Sequence, residues 1–493
     1  MPKLFWLAMI LCLSAGPFLA GAVDLPDMGI SADAALPPAK ERELGEAFMR
    51  KLREQGKILD DPMVDAYLES LGYRLLAYSD NPQQPLRFFA VNDKEINAFA
   101  APGGYIGVNT GLILYTRDEN ELASVAAHEL AHVLQRHITR GAETAKQFSI
   151  PMLAAMIAAI AVGAHNPQLA QAAIASITAG SIQMQLNFTR AHEREADWVG
   201  MEILARAGFD PRGMPDFFGK MQESARLYGQ SVPEFLRTHP VTVDRIADAQ
   251  DRAARLHAPA TEADADLPYH VMRARVLVLT HDEPAQLLAT LQHALEQGKF
   301  LNEAALRYGI VLAGLAANPS PKWFEQLDWL DAHSKNNQAV FDVARAQLHL
   351  ALHQTEPALA QFAQTERLHP GNPLVSLQYA QALLQEDRPL EAKTLLTQLT
   401  APRYPEIHRL LAQAHHDTGE ETVAKLEMGR YYYAIGNTSL AVEQLRQIRK
   451  GGEGDYYLLS QADALLAGWE QELAEEKRIA KEANKEPNPG GGR

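Results

Sequence analysis

His128-Glu129-Leu130-Ala131-His132 is the stretch on which the reading of this 493-residue chain turns. Two imidazoles four residues apart on a helix stand over one another on one face and can share a metal ion, and the glutamate between them turns toward the metal's open position. That is the core of a zinc hydrolase, with Glu129 as the base that takes a proton from water during attack on a peptide carbonyl. The flanking residues supply the helix. Asp118 can cap its first turn with Glu121 reaching back, Leu122, Val125, Ala126, Leu130 and Val133 continue it, and Gly141 offers a left-handed stop.

A third ligand is then required. Metzincins place a third histidine six residues after the second with a glycine between, whereas here His137 is five residues on and Gln135 stands at the glycine position. The spacing argues against that class and leaves His137 on the surface or behind the ligands. The alternative source is a distant helix, and His192-Glu193-Arg194-Glu195-Ala196-Asp197 supplies one. Glu193 and Asp197 share a helical face, so Glu193 can bind the metal while Asp197 accepts the far N–H of a ligating imidazole. Glu195, two residues away on a different face, is the competing ligand, and a solvated charged helix is the reading without chemistry. Two histidines and one glutamate leave a fourth position for water, the pattern of a catalytic site with one zinc ion per chain.

With these residues on the page, the chain resembles a known family. Asn97-Ala98-Phe99-Ala100-Ala101-Pro102-Gly103-Gly104, the His128 to His132 motif, the Glu193 to Asp197 segment and Thr238-His239-Pro240 with Arg245 look like the zinc peptidases of the HtpX and CAAX prenyl protease type. Within it the resemblance is to the periplasmic branch that carries C-terminal helical repeats. The resemblance implies a mainly α (α+β) fold: a gluzincin-type metallopeptidase domain with a small β-sheet, followed by an α-helical tetratricopeptide solenoid. It also implies that His239 donates to the oxyanion and that Arg245 supports the site or the substrate. Two other readings of His239 stay open. It can occupy the fourth zinc position and hold the enzyme latent, or it can simply pack beside a helix start at Pro240. Pro102, Gly103, Gly104 and Tyr105 read as a turn entering a strand. Either this is an exposed edge that pairs with extended substrate, which the resemblance favours, or it is an ordinary hairpin.

Residues Met1 to Ala22 read as a secretory signal, with Lys3, an apolar run from Leu4 to Leu13 and the small-residue site Ala20-Gly21-Ala22. The expected location is the periplasm. Cys12 is the only cysteine and lies inside that signal, so the mature chain is expected to have no thiol and to rely on its core rather than on disulfides. The apolar stretch from Phe148 to Ala164 falls short of the roughly 20 residues a spanning helix needs. It reads as a helix that covers the cleft as a lid or makes peripheral membrane contact. The formal net charge of −15, from 61 acidic and 46 basic residues, speaks against nucleic acid as a partner.

The second half has another architecture. Ala346, Ala358 and Phe362 recur as Ala380, Ala392 and Leu396, each 34 residues on, and the spacing returns with shifted phase in Gly429, Ala441 and Leu445. That is the period of tetratricopeptide repeats. The expected organisation is a signal peptide at 1–22, a linker at 23–40, the peptidase domain at 41–257, a linker at 258–268, the helical repeats at 269–480 and a disordered tail at 481–493. By resemblance the partners are unfolded or misassembled outer-membrane β-barrel proteins and the machinery that inserts them. The reading is a zinc metalloendopeptidase of outer-membrane quality control that degrades stalled precursors and assists assembly. Its rival is a chaperone or assembly scaffold whose zinc site is structural or latent.

Overall fold

The computed structural model describes residues 37–138, 190–228, 233–256, 266–334, 338–399, 404–451 and 456–483. The signal at 1–22, the apolar stretch from Phe148 to Ala164 and most of the linker at 258–268 lie outside them. The expected mainly helical fold with one small sheet is present. Helix α1 (Pro38–Glu54) begins inside the segment read as a linker, and α2 (Pro62–Leu76) is capped by Asp61, which accepts from the N–H groups of Met63 and Val64.

Strands β1 (Arg87–Val91), β2 (Ala98–Ala101) and β3 (Tyr105–Asn109) form a sheet in the order β1-β3-β2. β3 runs parallel to β1, with Arg87 opposite Tyr105, and antiparallel to β2, with Ala98 opposite Val108. Alternation divides the side chains. Phe89, Val91, Ala101 and Tyr105 pack with Phe48 of α1, and Phe88, Ala90, Ala98, Ile106 and Val108 join the main core. Tyr105 therefore lies on the central strand and is paired on both sides, which corrects its expected place on an exposed edge. Pro102, Gly103 and Gly104 form a single 3-10 turn, with both glycines at φ +79, and a Cβ on Gly104 would come 2.0 Å from the carbonyl oxygen of Pro85. Gly103 N–H donates to Glu41, so this turn is tied to α1 and is not laid open for substrate. The chain at Lys57 to Leu59 bonds to the outer side of β1. Among the described residues no strand pairs with the outer side of β2, which is the sheet's edge.

After α3 (Thr110–Tyr115), helix α4 (Glu119–Leu134) carries the motif, and every residue from Glu121 to His132 is buried. Asp118 accepts from Glu121 N–H at 3.0 Å, and the Glu121 carboxylate accepts from Arg117 N–H at 2.8 Å, one residue earlier than a capping box would have it. The helix ends at Leu134, because Arg136 takes the left-handed backbone at φ +52 that was expected of Gly141, a residue outside the described set. Helices α5 (Arg190–Arg206), α6 (Gly213–Tyr228), α7 (Glu234–Thr238) and α8 (Val243–Ala253) complete the first half. Pro240 precedes α8 and does not start it, since Thr242 is the cap that accepts from Arg245 N–H.

Helices α9 (Leu267–Leu279) and α10 (Pro284–Glu296) both pack against α11 (Glu303–Ala317), and the helices that follow are paired: α11 with α12 (Trp323–His333), α13 (Gln338–Ala351) with α14 (Thr355–Leu368), and α15 (Pro373–Gln385) with α16 (Pro389–Thr397). They are followed by α17 (Pro405–Asp417), α18 (Glu421–Ala434), α19 (Thr438–Gly451) and α20 (Tyr456–Ala483). Ala346, Ala358, Ala380 and Ala392 are fully buried where paired helices cross. Ala412 and Ala424 fill the same columns on α17 and α18, displaced by 32 residues rather than 34, and Gly429 and Ala441 fill them again on α18 and α19. The phase shift in the sequence is thus one helix serving two successive pairs. Trp323 and Phe341 are core, whereas Phe324, Trp329 and Tyr431 to Tyr433 are half-buried. The last helix runs to Ala483, past the expected start of the tail at Lys481.

The helical array closes onto the first half at both ends. Arg275 of α9 grips the α2 cap Asp61 through contacts of 2.7 to 2.9 Å, both side chains being buried. At the far end Arg50 of α1 reaches Glu472 at 2.6 Å and lies 4.5 Å over the Tyr433 ring, which stacks on Trp469. Removing one partner of a buried pair strands the other's charge. Arg275→Ala is therefore expected to lower unfolding free energy by about 3–5 kcal/mol in denaturant titration. Asp282→Ala, which breaks an exposed pair with Lys94, is expected to leave the midpoint in place.

Candidate metal centre

The site is built where α5 lies against α4. A Cβ on Gly200 would meet the carbonyl of Ala127 and the nitrogen of His128 at 3.0 to 3.1 Å, so a glycine there lets α5 approach the motif backbone closely. That approach brings Glu193 in among the imidazoles. Nε2 of His128 is 3.1 Å from Nε2 of His132 and 3.6 Å from Oε2 of Glu193, and Nε2 of His132 is 3.6 Å from Oε1 of Glu193.

A further residue joins them. The short helix α7 is pinned by the buried Phe235, whose N–H donates to the Ile96 carbonyl at 3.1 Å just before β2. The chain leaving α7 then delivers His239, with Nδ1 3.4 Å from Nε2 of His128 and 3.0 Å from Oε1 of Glu193. One ligand atom from each of His128, His132, Glu193 and His239 falls within 4.8 Å of the other three, and all four residues are buried. Zinc bonds of about 2.0–2.1 Å arranged tetrahedrally have edges of about 3.4 Å. Four of the separations, 3.0 to 3.6 Å, are close to those edges and all four atoms lie within 4.8 Å of one another, so the donor set fits zinc in type and in rough size.

Glu129 faces the same space. It is fully buried, both carboxylate oxygens lack a hydrogen-bond partner, and Oε1 is 3.5 Å from Nε2 of His239. A buried carboxylate left this way is costly unless another polar group or cation occupies the space beside it.

Behind the ligands, Nδ1 of His128 lies 3.0 Å from Oδ1 of Asp197, and Arg245 reaches Asp197 with Nε at 2.7 Å and Nη2 at 2.8 Å. Nη1 of Arg245 is 2.9 Å from Glu193 and donates to the Pro240 carbonyl at 2.8 Å, which ties α8 to the chain holding His239. His137 is buried and not on the surface, with Nδ1 2.8 Å from Nδ1 of His132. Glu195 makes no approach to the ligand atoms and bonds to His137 instead, at 3.0 Å. Pro102, Gly103, Gly104 and Tyr105 stand apart from this cluster, against α1. A cavity of about 630 Å³ behind Asp197 and Arg245, bordered by Trp198 and Arg252, touches none of the four candidate ligands.

The electrostatics keep the carboxylates of the site ionised. Burial works against charge on the His128 ring, yet the Asp197 and Glu193 carboxylates beside it carry its pKa to about 10. Burial takes His132 well below the ordinary histidine range, with the charge on His128 adding to the effect. Burial alone would raise the two carboxyls, but His239 and His128 hold Glu193 well below its usual range, and His128 and Arg245 lower Asp197. Two ionised carboxylates thus remain in a water-poor space.

The model of peptidase family M48 matches residues 62–253. The chain is 33% identical over 449 residues to the Beta-barrel assembly-enhancing protease of Escherichia coli (strain K12), covering 89% of this chain and 91% of that one. It is 38% identical over 317 residues to a Putative beta-barrel assembly-enhancing protease of Vibrio cholerae, covering 61% of this chain and 65% of the relative. Metalloprotease LoiP of Escherichia coli is 25% identical over 253 residues, 50% of this chain and 96% of its own length. Groups that orient a ligating imidazole typically contribute 10–100-fold to metal affinity. Asp197→Ala is accordingly expected to weaken zinc binding by about that factor in competition with a chromophoric chelator.

Proposed function

Because this chain belongs to peptidase family M48, whose members are zinc metalloproteases, we propose that it is a periplasmic endopeptidase that cuts misfolded or stalled outer-membrane β-barrel precursors and assists their assembly. The observation that carries the chemical part is the buried cluster of His128, His132, Glu193 and His239, one ligand atom of each within 4.8 Å of the others, beside the Glu129 carboxylate, whose oxygens make no hydrogen bond. The relatives' printed names support the biological part. The apolar start and small-residue site of Met1 to Ala22 support export. Among the described residues no helix is long and apolar enough to cross a membrane.

In this reading His128, His132 and Glu193 hold the zinc. When bound, zinc acts as a Lewis acid and brings the pKa of its water toward neutrality. Glu129 takes the proton of the attacking water and passes it to the departing amine nitrogen. Asp197 fixes the His128 tautomer, and Arg245 neutralises Asp197 and Glu193 from behind, so its role is support of the ligands rather than contact with the scissile bond. An extended substrate backbone pairs with the outer side of β2, Ala98 to Ala101, whose small residues lie beside α4. That replaces the turn at Pro102 to Tyr105 as the substrate strand. The helical array docks the client or the insertion machinery and raises its concentration near the site.

One observation favours a latent resting state. Nδ1 of His239 lies among the other three candidate ligand atoms, where it would take the place that a water needs during hydrolysis. His239 then acts as a plug that leaves when substrate enters, and only afterwards can its N–H reach the oxyanion. Zinc-edge spectroscopy on His239→Ala separates the possibilities. Loss of one imidazole from the metal is expected, and unchanged coordination would remove the plug.

Glu129→Gln tests the proposal as a whole. It should keep one zinc and lose about 10²–10⁴-fold in cleavage rate, the usual contribution of a positioned base. If cells carrying Glu129→Gln maintain their envelope as well as wild type, scaffolding rather than proteolysis is the principal activity.

A further inference from the structure

The two imidazoles of α4 are held from behind in different ways. His128 Nδ1 faces the Asp197 carboxylate directly at 3.0 Å. His132 Nδ1 instead faces another ring, that of His137, at 2.8 Å, and His137 Nε2 lies 3.0 Å from Oε2 of Glu195. We propose that His137 is a positioning residue for the metal site, joining His132 to Glu195 so that the second imidazole receives through a relay the carboxylate support that the first receives directly.

The direction of the relay follows from the geometry, given the zinc reading above on which it rests. Nε2 of His132 points into the ligand set, 3.1 Å from Nε2 of His128. To bind metal that nitrogen must offer a lone pair, so the ring hydrogen of His132 sits on Nδ1 and donates toward Nδ1 of His137. His137 must then accept at Nδ1 and carry its own hydrogen on Nε2, where the Glu195 carboxylate accepts it. Reversing the first bond would put the His132 hydrogen on Nε2 and remove the ligand. Only one tautomer of each ring satisfies the arrangement, and it is the metal-binding one.

The surroundings hold this relay in place. His132 and His137 are both buried, so a broken link is not readily replaced by bulk water. The His192 ring stacks on His137 at 4.3 Å and 14°, which fixes the plane of the middle ring. Arg136, at φ +52, turns the chain out of α4 immediately before His137 and lets the ring fold back toward His132. The alternation along α5 also acquires a reason. Glu193 enters the ligand set, Asp197 stands one turn later behind His128, and Glu195 points off to one flank to meet His137. A single stretch of α5 therefore supplies one ligand and orients both of the others.

The test compares His137→Gln with His137→Leu in the full-length protein, reading the zinc dissociation constant by chelator competition and the melting temperature of the zinc-free form. Glutamine fills similar space, accepts through its carbonyl and donates through its amide, whereas leucine fills the space and does neither. His137→Leu is expected to bind zinc about 10–100-fold more weakly than wild type, and His137→Gln to recover most of that loss. Glu195→Ala should fall between them, with the zinc-free melting temperatures of the two His137 variants alike. Leucine binding zinc within twofold of wild type, or glutamine as weak as leucine, would overturn the proposal, the second result pointing to packing alone. His128→Ala is the benchmark: if it kept full zinc affinity, the metal-site reading itself would fail, and not this inference alone.

Discussion

The approach of α5 to α4 is the constraint from which everything else follows. The motif helix alone offers two imidazoles and a carboxylate, which bind a divalent ion weakly and in no fixed geometry. Only when Gly200 allows α5 to settle against Ala127 and His128 does Glu193 arrive among the imidazoles and Asp197 behind the first of them. The arrangement concentrates ionisable side chains in the core, and burying a charge costs several kcal/mol unless it is paired and well bonded. Arg245 against Asp197 and Glu193 offsets part of that cost. A cation among the ligands offsets the rest, so metal binding and the integrity of this interface are two aspects of one free energy.

The rest of the molecule supports that interface from outside. The sheet lies between α1 and the main core, with β2 against the motif helix, and the Ile96 carbonyl beside β2 anchors α7 and hence His239. The helical array is not a free appendage. Arg275 seizes the cap of α2, and α18 and α20 close onto α1 through Tyr433, Trp469 and Glu472.

How much of this was legible in the sequence depends on the range of the interaction. The motif, its cap at Asp118 and the shared face of Glu193 and Asp197 rest on helical periodicity, which is local, and the structure brings those residues together. The small residues at Ala346, Ala358, Ala380 and Ala392 could be found because the repeat is periodic, although one helix used twice obscured the later register. The interval of five residues after His132 leaves His137 either on the surface or behind the ligands, and spacing alone does not choose; the left-handed residue at Arg136 ends the helix and turns the ring inward, behind His132. Tyr105 was misplaced because strand order is decided by long-range pairing: the strand that follows the glycine turn enters the middle of the sheet, and the edge falls to Ala98 to Ala101.

The chemistry requires one metal ion held among side chains distant in sequence. The most direct measurement is zinc content together with cleavage of an unfolded model protein, before and after complete removal of metal by a chelator. One zinc per chain, loss of cleavage on its removal and recovery on its return are what the ligand set requires. Cleavage that persists in protein free of metal would contradict it.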